Sequence, residues 1–266
     1  MLQVNSIFKS TMLVLILHLS IPCAAQNTRI NEQNKIGWFN FNSTFKISDK
    51  FGLHTEYQLR RDNFITDKQQ NLLRLGVNYQ CNEKVQLRLG YAWIETYPYG
   101  ETPINNLGRD FTEHRFFQQV TLFDEIGKFN ISHRFMLEQR WLGKYSSSEE
   151  LTEDQYVFVN RLRYMFRAQI PLNNKKMSDN KVCYAGLYDE IFLGFGKNVN
   201  ENVFDQNRFA AFLGYKFNNN ARVEAGYLNQ TLQLGREINN SNVFQNNNGF
   251  IISTLLNFDL TKKVKQ

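Results

Sequence analysis

Over residues 129–141 the chain alternates with a period of two: Phe129, Ile131, Phe135, Leu137 and Trp141 fall on one face, and Asn130, Ser132, Arg134, Glu138 and Arg140 on the other. Side chains of an extended strand point to opposite faces in turn, so this pattern predicts a strand. Its length is informative. Strands of soluble domains typically have about five or six residues, whereas a tilted strand crossing a bilayer needs roughly nine to eleven. An oily face opposite a charged one, held over that length, fits a stave of a barrel with lipid outside and a polar lumen inside.

The same period recurs along the chain. Phe39, Phe41, Phe45 and Ile47 oppose Asn40, Asn42, Thr44 and Lys46. After a turn at 48–50, Phe51, Leu53, Thr55, Tyr57 and Leu59 oppose Gly52, His54, Glu56, Gln58 and Arg60. Further strands are predicted around 73–79, 85–93, 116–122, 156–166, 184–195, 209–217, 223–233 and 250–260. Tight turns at 48–50, 81–83, 124–128 and 218–220 alternate with polar loops at 61–69, 97–112, 142–154 and 196–206 and an Asn-rich loop at 234–249. Short periplasmic turns and longer outer loops give a membrane barrel this rhythm. Only the connection 171–181 is long where a tight turn is due. Eleven strands can be counted, and bacterial barrels normally have an even number. A short strand in the lead-in 26–35 would complete the set. The expected fold is therefore all-β: a transmembrane antiparallel β-barrel of about twelve strands, ten at the least.

Three polar side chains resist the phase. His133 and Gln139 fall on the lipid face, as does Asp189, and a β-bulge is the expected device for re-aiming them. Trp38, Tyr57, Tyr79, Trp93, Tyr97 and Trp141 suit aromatic girdles at the two membrane interfaces.

The N-terminus sets the compartment. Lys9, the apolar run 12–19, Pro22 and the small residues Cys23, Ala24 and Ala25 have the layout of a signal peptide over 1–25, leaving 26–266 as the barrel domain. The expected address is the cell outer membrane. Of 266 residues 42% are hydrophobic, yet mean hydropathy is -0.47 and no mature segment nears about eighteen apolar residues, which argues against a helical membrane protein. Past the signal only Cys81 and Cys183 remain, too few for a disulfide framework or a cysteine metal site. They fall on strands that are not neighbours. The glycines form no phosphate-binding loop, and no cofactor or metal is expected.

Charge then matters through its placement. The 31 Lys and Arg exceed the 25 Asp and Glu, but there is no basic block with interleaved aromatics, and an exported chain meets little nucleic acid. Strand phase aims Arg60, Arg74, Arg115, Arg134, Arg140, Arg161, Arg163 and Arg208 at the lumen, with Glu113, Glu138 and Glu190 among the inward carboxylates. These groups either pair and fill a narrow barrel or attract anions into a confined space. A lipid-modifying enzyme is the alternative, because His114 on the outer face, joined to a serine, has the elements of acyl-transfer chemistry. His54 is the one histidine that clearly faces the lumen. A soluble exported β-sandwich binding protein competes at the level of fold.

Several strand-phased segments carry a resemblance: Glu113 to Gln119 (EHRFFQQ), Arg134 with Glu138, Gln139 and Arg140, Tyr188 to Phe192 (YDEIF), Gln206 to Arg208 (QNR) and Gly226 to Gln230 (GYLNQ). Through them the chain, from about Ile36 to Leu260, resembles an uncharacterised family of Gram-negative outer-membrane barrels, a domain of unknown function (DUF2490-like). The resemblance implies a barrel and an outer-membrane address and brings no substrate or catalytic residue. The basic tail 261–266 departs from the terminal aromatic of such barrels and leaves Phe258 as the nearest candidate. The expected role is a structural barrel or a narrow, porin-like channel, with outer-membrane lipid and small anionic solutes as partners.

Overall fold

The computed structural model describes residues 29–199 and 202–261. The signal peptide expected over 1–25 and the tail past residue 261 lie outside the described residues. Among the described residues eleven strands follow one another: β1 (Arg29–Lys46), β2 (Phe51–Asp62), β3 (Asp67–Asn82), β4 (Val85–Thr96), β5 (Phe111–Ile126), β6 (Phe129–Lys144), β7 (Gln155–Pro171), β8 (Val182–Phe195), β9 (Phe204–Lys216), β10 (Ala221–Ile238) and β11 (Ser241–Asp259). Each pairs with the next in antiparallel fashion, and β11 returns to β1 to close the barrel. A closed barrel replaces the two facing sheets that a β-sandwich would need, so that alternative falls.

Eleven lies inside the expected range, but the described residues of the lead-in do not supply a twelfth strand. Its described part extends β1, pairing with β11 from Arg29↔Asn242 to Lys35↔Asn248. The count stays odd and the closing pair is parallel. Parallel pairing is slightly weaker per residue, and this seam is reinforced by side chains. Phe39 meets Phe250 edge-on at 5.6 Å and Phe45 stacks on Phe258 at 5.1 Å, each pair contributing about 0.5–1.5 kcal/mol beyond burial. Asn34 donates to Asn247 at 2.8 Å. Gly249 sits opposite Ile36, and a methyl group there would overlap the Ile36 backbone. The seam closes only because that position has no Cβ.

Two connections are shorter than their polarity suggested. The Asn-rich run expected as a loop over 234–249 is mostly strand, because β10 and β11 join through Asn239 and Asn240 alone, at φ +50° and +58°. That is the two-residue hairpin geometry for which Asn is suited. A strand with amides on both faces has no hydrophobic period to reveal it. Its amides instead pair across strands, Asn229 with Asn248 at 2.8 Å and Thr231 with Asn246 at 3.2 Å. Likewise the loop expected over 61–69 shrinks to 63–66, where Asn63 and Phe64 take positive φ.

Outward faces carry a belt of large apolar side chains, Leu53, Leu75, Leu89, Phe116, Phe135, Leu162 and Leu213 among them, all exposed. His133, Gln139 and Asp189 stay on this outer face, and no bulge re-aims them: β5 to β8 pair there in unbroken register. Cross-strand partners satisfy them instead. His133 bonds the Tyr164 hydroxyl at 2.9 Å, Gln139 and Gln118 exchange bonds of 3.1 and 3.2 Å, and Asp189 accepts from Asn207 at 2.9 Å.

The barrel has a long-loop end, with connections 97–110 and 145–154, and a short-turn end, with turns 47–50, 83–84 and 127–128. The ten-residue connection 172–181 remains the exception at the short-turn end. It tucks under the barrel, where Lys216 Nζ donates to the Met177 and Ser178 carbonyls at 2.9 and 3.2 Å. Cys81 on β3 and Cys183 on β8 are exposed and free.

Candidate functional site

The interior is polar because strand phase makes it so. Even positions of β2 and β6 and odd positions of β5 and β7 point inward, and most of them bear charges or amides. Charges removed from water must find partners, and on β5 to β7 they do. Glu113 takes Arg115 and Arg140 at 2.5 Å each. Glu138 takes Arg161 at 2.5 Å and Arg163 at 2.7 Å, with Arg115 at 3.8 Å. Glu190 lies 2.7 Å from both Arg163 and Arg134.

Asp205 completes the circuit, at 2.6 Å from Arg161 and 3.5 Å from Arg140. Its position comes from a bulge. Phe192 pairs with Gln206 and Leu193 with Phe204, so Asp205 is the extra residue and both it and Gln206 point inward. Five arginines on β5 to β7 thus share four carboxylates. Two further pairs, Arg74–Glu56 and Arg167–Glu224, at 2.5 Å each, extend the lattice around the wall.

Two rings and a thioether fill the gaps between these ions. Phe117, Met136 and Phe192 are buried inside; Arg163 lies 4.4 Å over the Phe192 ring and Arg74 lies 5.4 Å over Phe117. Ions and rings together form a partition across the lumen. A cavity of about 480 Å³ opens at the long-loop end and one of about 910 Å³ at the short-turn end, and among the described residues none lines both.

All eleven residues singled out from the sequence point inward, but they divide into three groups. Arg60, Glu113, Arg115, Arg140, Arg161 and Arg208 line the long-loop cavity. Arg134 lines the short-turn cavity. Arg74, Glu138, Arg163 and Glu190 line neither and belong to the partition.

Some of the site was not anticipated. Trp38, expected in an interfacial girdle, is 2% exposed inside the barrel. Its own parity, shared with the inward Asn40 and Asn42, is the signal that places it there. Arg60 and Arg208 sit over its ring at 3.9 and 4.9 Å from the centroid. The loop 97–110 folds inward as a cover: the Tyr99 hydroxyl accepts from Asn247 at 3.3 Å, Gln245 donates to the Thr102 carbonyl at 2.8 Å, and the Thr102 hydroxyl bonds Glu32. Burial there pushes the Tyr99 hydroxyl up to about 12. No local pattern in the sequence announces such contacts.

His114, the residue on which an enzyme reading depends, lies on the outer wall. Its ring bonds the Tyr91 hydroxyl at 2.5 Å and packs against Tyr91 and Tyr156 at 6.0 and 5.7 Å. Among the described residues, its side-chain hydrogen-bond partner is this tyrosine and no serine.

A family model described as "Protein of unknown function (DUF2490)" matches residues 36–242. No curated protein matches the chain. A solved structure, "NanC porin structure in rhombohedral crystal form", is similar at 13% identity and a TM-score of 0.42, covering 77% of this chain and 90% of that one.

Proposed function

The chain belongs to the DUF2490 family of proteins of unknown function, and we propose that it is an outer-membrane β-barrel that admits small anions to a narrow lumen held shut at mid-height by ion pairs. One observation carries the reading. Among the described residues, seven basic side chains against two acidic ones line the long-loop cavity, and six against three line the short-turn cavity. Walls of one sign in a confined space concentrate the opposite charge. Both mouths therefore draw anions, while the partition between them is nearly neutralised.

Support for the membrane address is the apolar belt. On β2 the outward residues from Phe51 to Leu59, and on β3 those from Leu73 to Tyr79, are oily or aromatic apart from Thr55, close to the roughly nine to eleven residues a tilted crossing strand requires. In this orientation the long loops face outward and the short turns face the periplasm. Passage of an anion requires the ion pairs around Glu138 to part. An anion arriving at Arg161 or Arg163 competes with Glu138 for the same guanidinium, which is how a charged solute can loosen the barrier it meets.

Reconstitution into planar bilayers tests this. Small, infrequent openings with a reversal potential shifted toward that of chloride are expected in a KCl gradient, and Glu138→Gln should open more often. Preference for cations, or silence from both proteins, overturns the channel and leaves a purely structural barrel.

A further inference from the structure

Among the described residues six arginines are buried, and two of them differ from the rest. Arg60 and Arg208 are 5% and 8% exposed, yet among the described residues neither forms an ion pair with a carboxylate. Neutral amides hold them instead. Gln58 Oε1 accepts from Arg60 Nε at 2.9 Å, and Gln70 Oε1 accepts from Arg60 Nη1. Gln206 Oε1 accepts from Arg208 Nε at 3.0 Å and is itself fixed by Gln230. Amides orient a guanidinium without cancelling its charge.

Geometry brings the two together. Both lie over the ring of Trp38, at 3.9 and 4.9 Å from one centroid, so the guanidinium carbons are no further apart than these two distances combined. The indole is fixed in turn, donating through Nε1 to Gln69 at 2.8 Å. Of Arg208 only Nε donates within the protein among the described residues, which leaves its terminal nitrogens for another acceptor. Two like charges, buried, oriented and with no carboxylate in contact, are costly unless a counter-charge joins them. They stand on the wall of the 480 Å³ cavity, a volume within the range that small ligands occupy.

We infer that Arg60, Arg208 and Trp38 form a binding site for a small dianionic oxyanion, a dicarboxylate or a phosphate, in the outer cavity. Two guanidinium forks match two carboxylates, or several oxygens of one phosphate, in a way that point charges do not. A monocarboxylate would leave one arginine uncompensated. The site deepens, and rests on, the anion-admitting reading above.

Trp38 is its own reporter once the outward-facing Trp93 and Trp141 are replaced by Phe. The refolded full chain in detergent is titrated at fixed ionic strength with succinate, with inorganic phosphate and with acetate. Succinate and phosphate should change Trp38 emission saturably, and acetate should bind at least tenfold more weakly. Arg60→Gln and Arg208→Gln should each weaken succinate at least tenfold. Arg208→Lys, which keeps the charge and loses the fork, should weaken it at least fivefold. Lys68→Gln, which removes one charge from the exposed outer wall, should leave the titration unchanged. Heat-modifiable migration in gels shows that each variant has folded. No saturable change in the parent protein, equal affinity for acetate, or parent-like binding by Arg208→Lys overturns the site. A barrel that binds succinate but never conducts keeps the site and loses the channel; one that conducts anions without any Trp38 response keeps the channel and loses the site.

Discussion

Glu138 is the carboxylate on which the interior turns. It is 1% exposed and meets three arginines, Arg115, Arg161 and Arg163. Removing one partner of a buried pair strands the other, at a typical cost of about 3–5 kcal/mol. Glu138→Ala should lower stability by about that amount in urea titrations of protein folded into liposomes, and an unchanged midpoint would mean that water reaches these arginines. Tyr99 makes a pH prediction in the cover loop. Burial raises its folded pKa to about 12, above the unfolded value of about 10. Its contribution is therefore complete below pH ~10 and is lost as pH rises from there through the folded value. Absorbance at the phenolate band should include a late component about two units above the ordinary value, and Tyr99→Phe should reduce its amplitude by one tyrosine. At this scale the sequence was readable wherever parity alone decides, as for Arg161 and Glu138. It misled at Trp38, where the usual place of tryptophan in membrane barrels outweighed its parity, and at Asp205, because a single inserted residue leaves no mark on the pattern.

Among elements, the long oily-and-charged strands such as β6 were legible because an apolar outer face and an ionic inner face impose the cleanest possible alternation. The run Ser241 to Gly249 was not, since above the apolar belt both faces of β11 meet polar surroundings and the period disappears. Its hairpin could have been found from Asn239 and Asn240, a pair suited to two consecutive positive φ values. Asn239→Val puts a β-branched residue at φ +50° and should cost about 1–2 kcal/mol, read as a lower urea midpoint. The parallel seam was visible only as an awkward odd count. Gly249→Ala forces a methyl into the Ile36 backbone at this seam and should reduce the heat-modifiable, folded fraction in gels. Normal folding of that variant would mean that β1 and β11 do not close in this register.

For the whole molecule, one rule joins outside to inside: the parity that presents oily groups outward is the parity that packs arginines and carboxylates within. Leu75, exposed at mid-belt, should therefore tolerate charge poorly, Leu75→Arg costing about 2–4 kcal/mol in lipid. Leu151, in a loop and 92% exposed, should accept arginine without measurable loss of stability. The division of the lumen was beyond the sequence, because which arginine meets which carboxylate depends on register and shear across several strands. What the sequence could supply was the inventory of inward charges. The three tryptophans test the underlying geometry most directly. Trp93 and Trp141 project from the outer wall while Trp38 is enclosed, so single-tryptophan variants in vesicles of brominated phospholipid should divide sharply. Strong quenching of Trp93 and Trp141 with Trp38 untouched is the expected result; quenching of Trp38, or of none of the three, would contradict a lipid-embedded barrel with this inside and this outside.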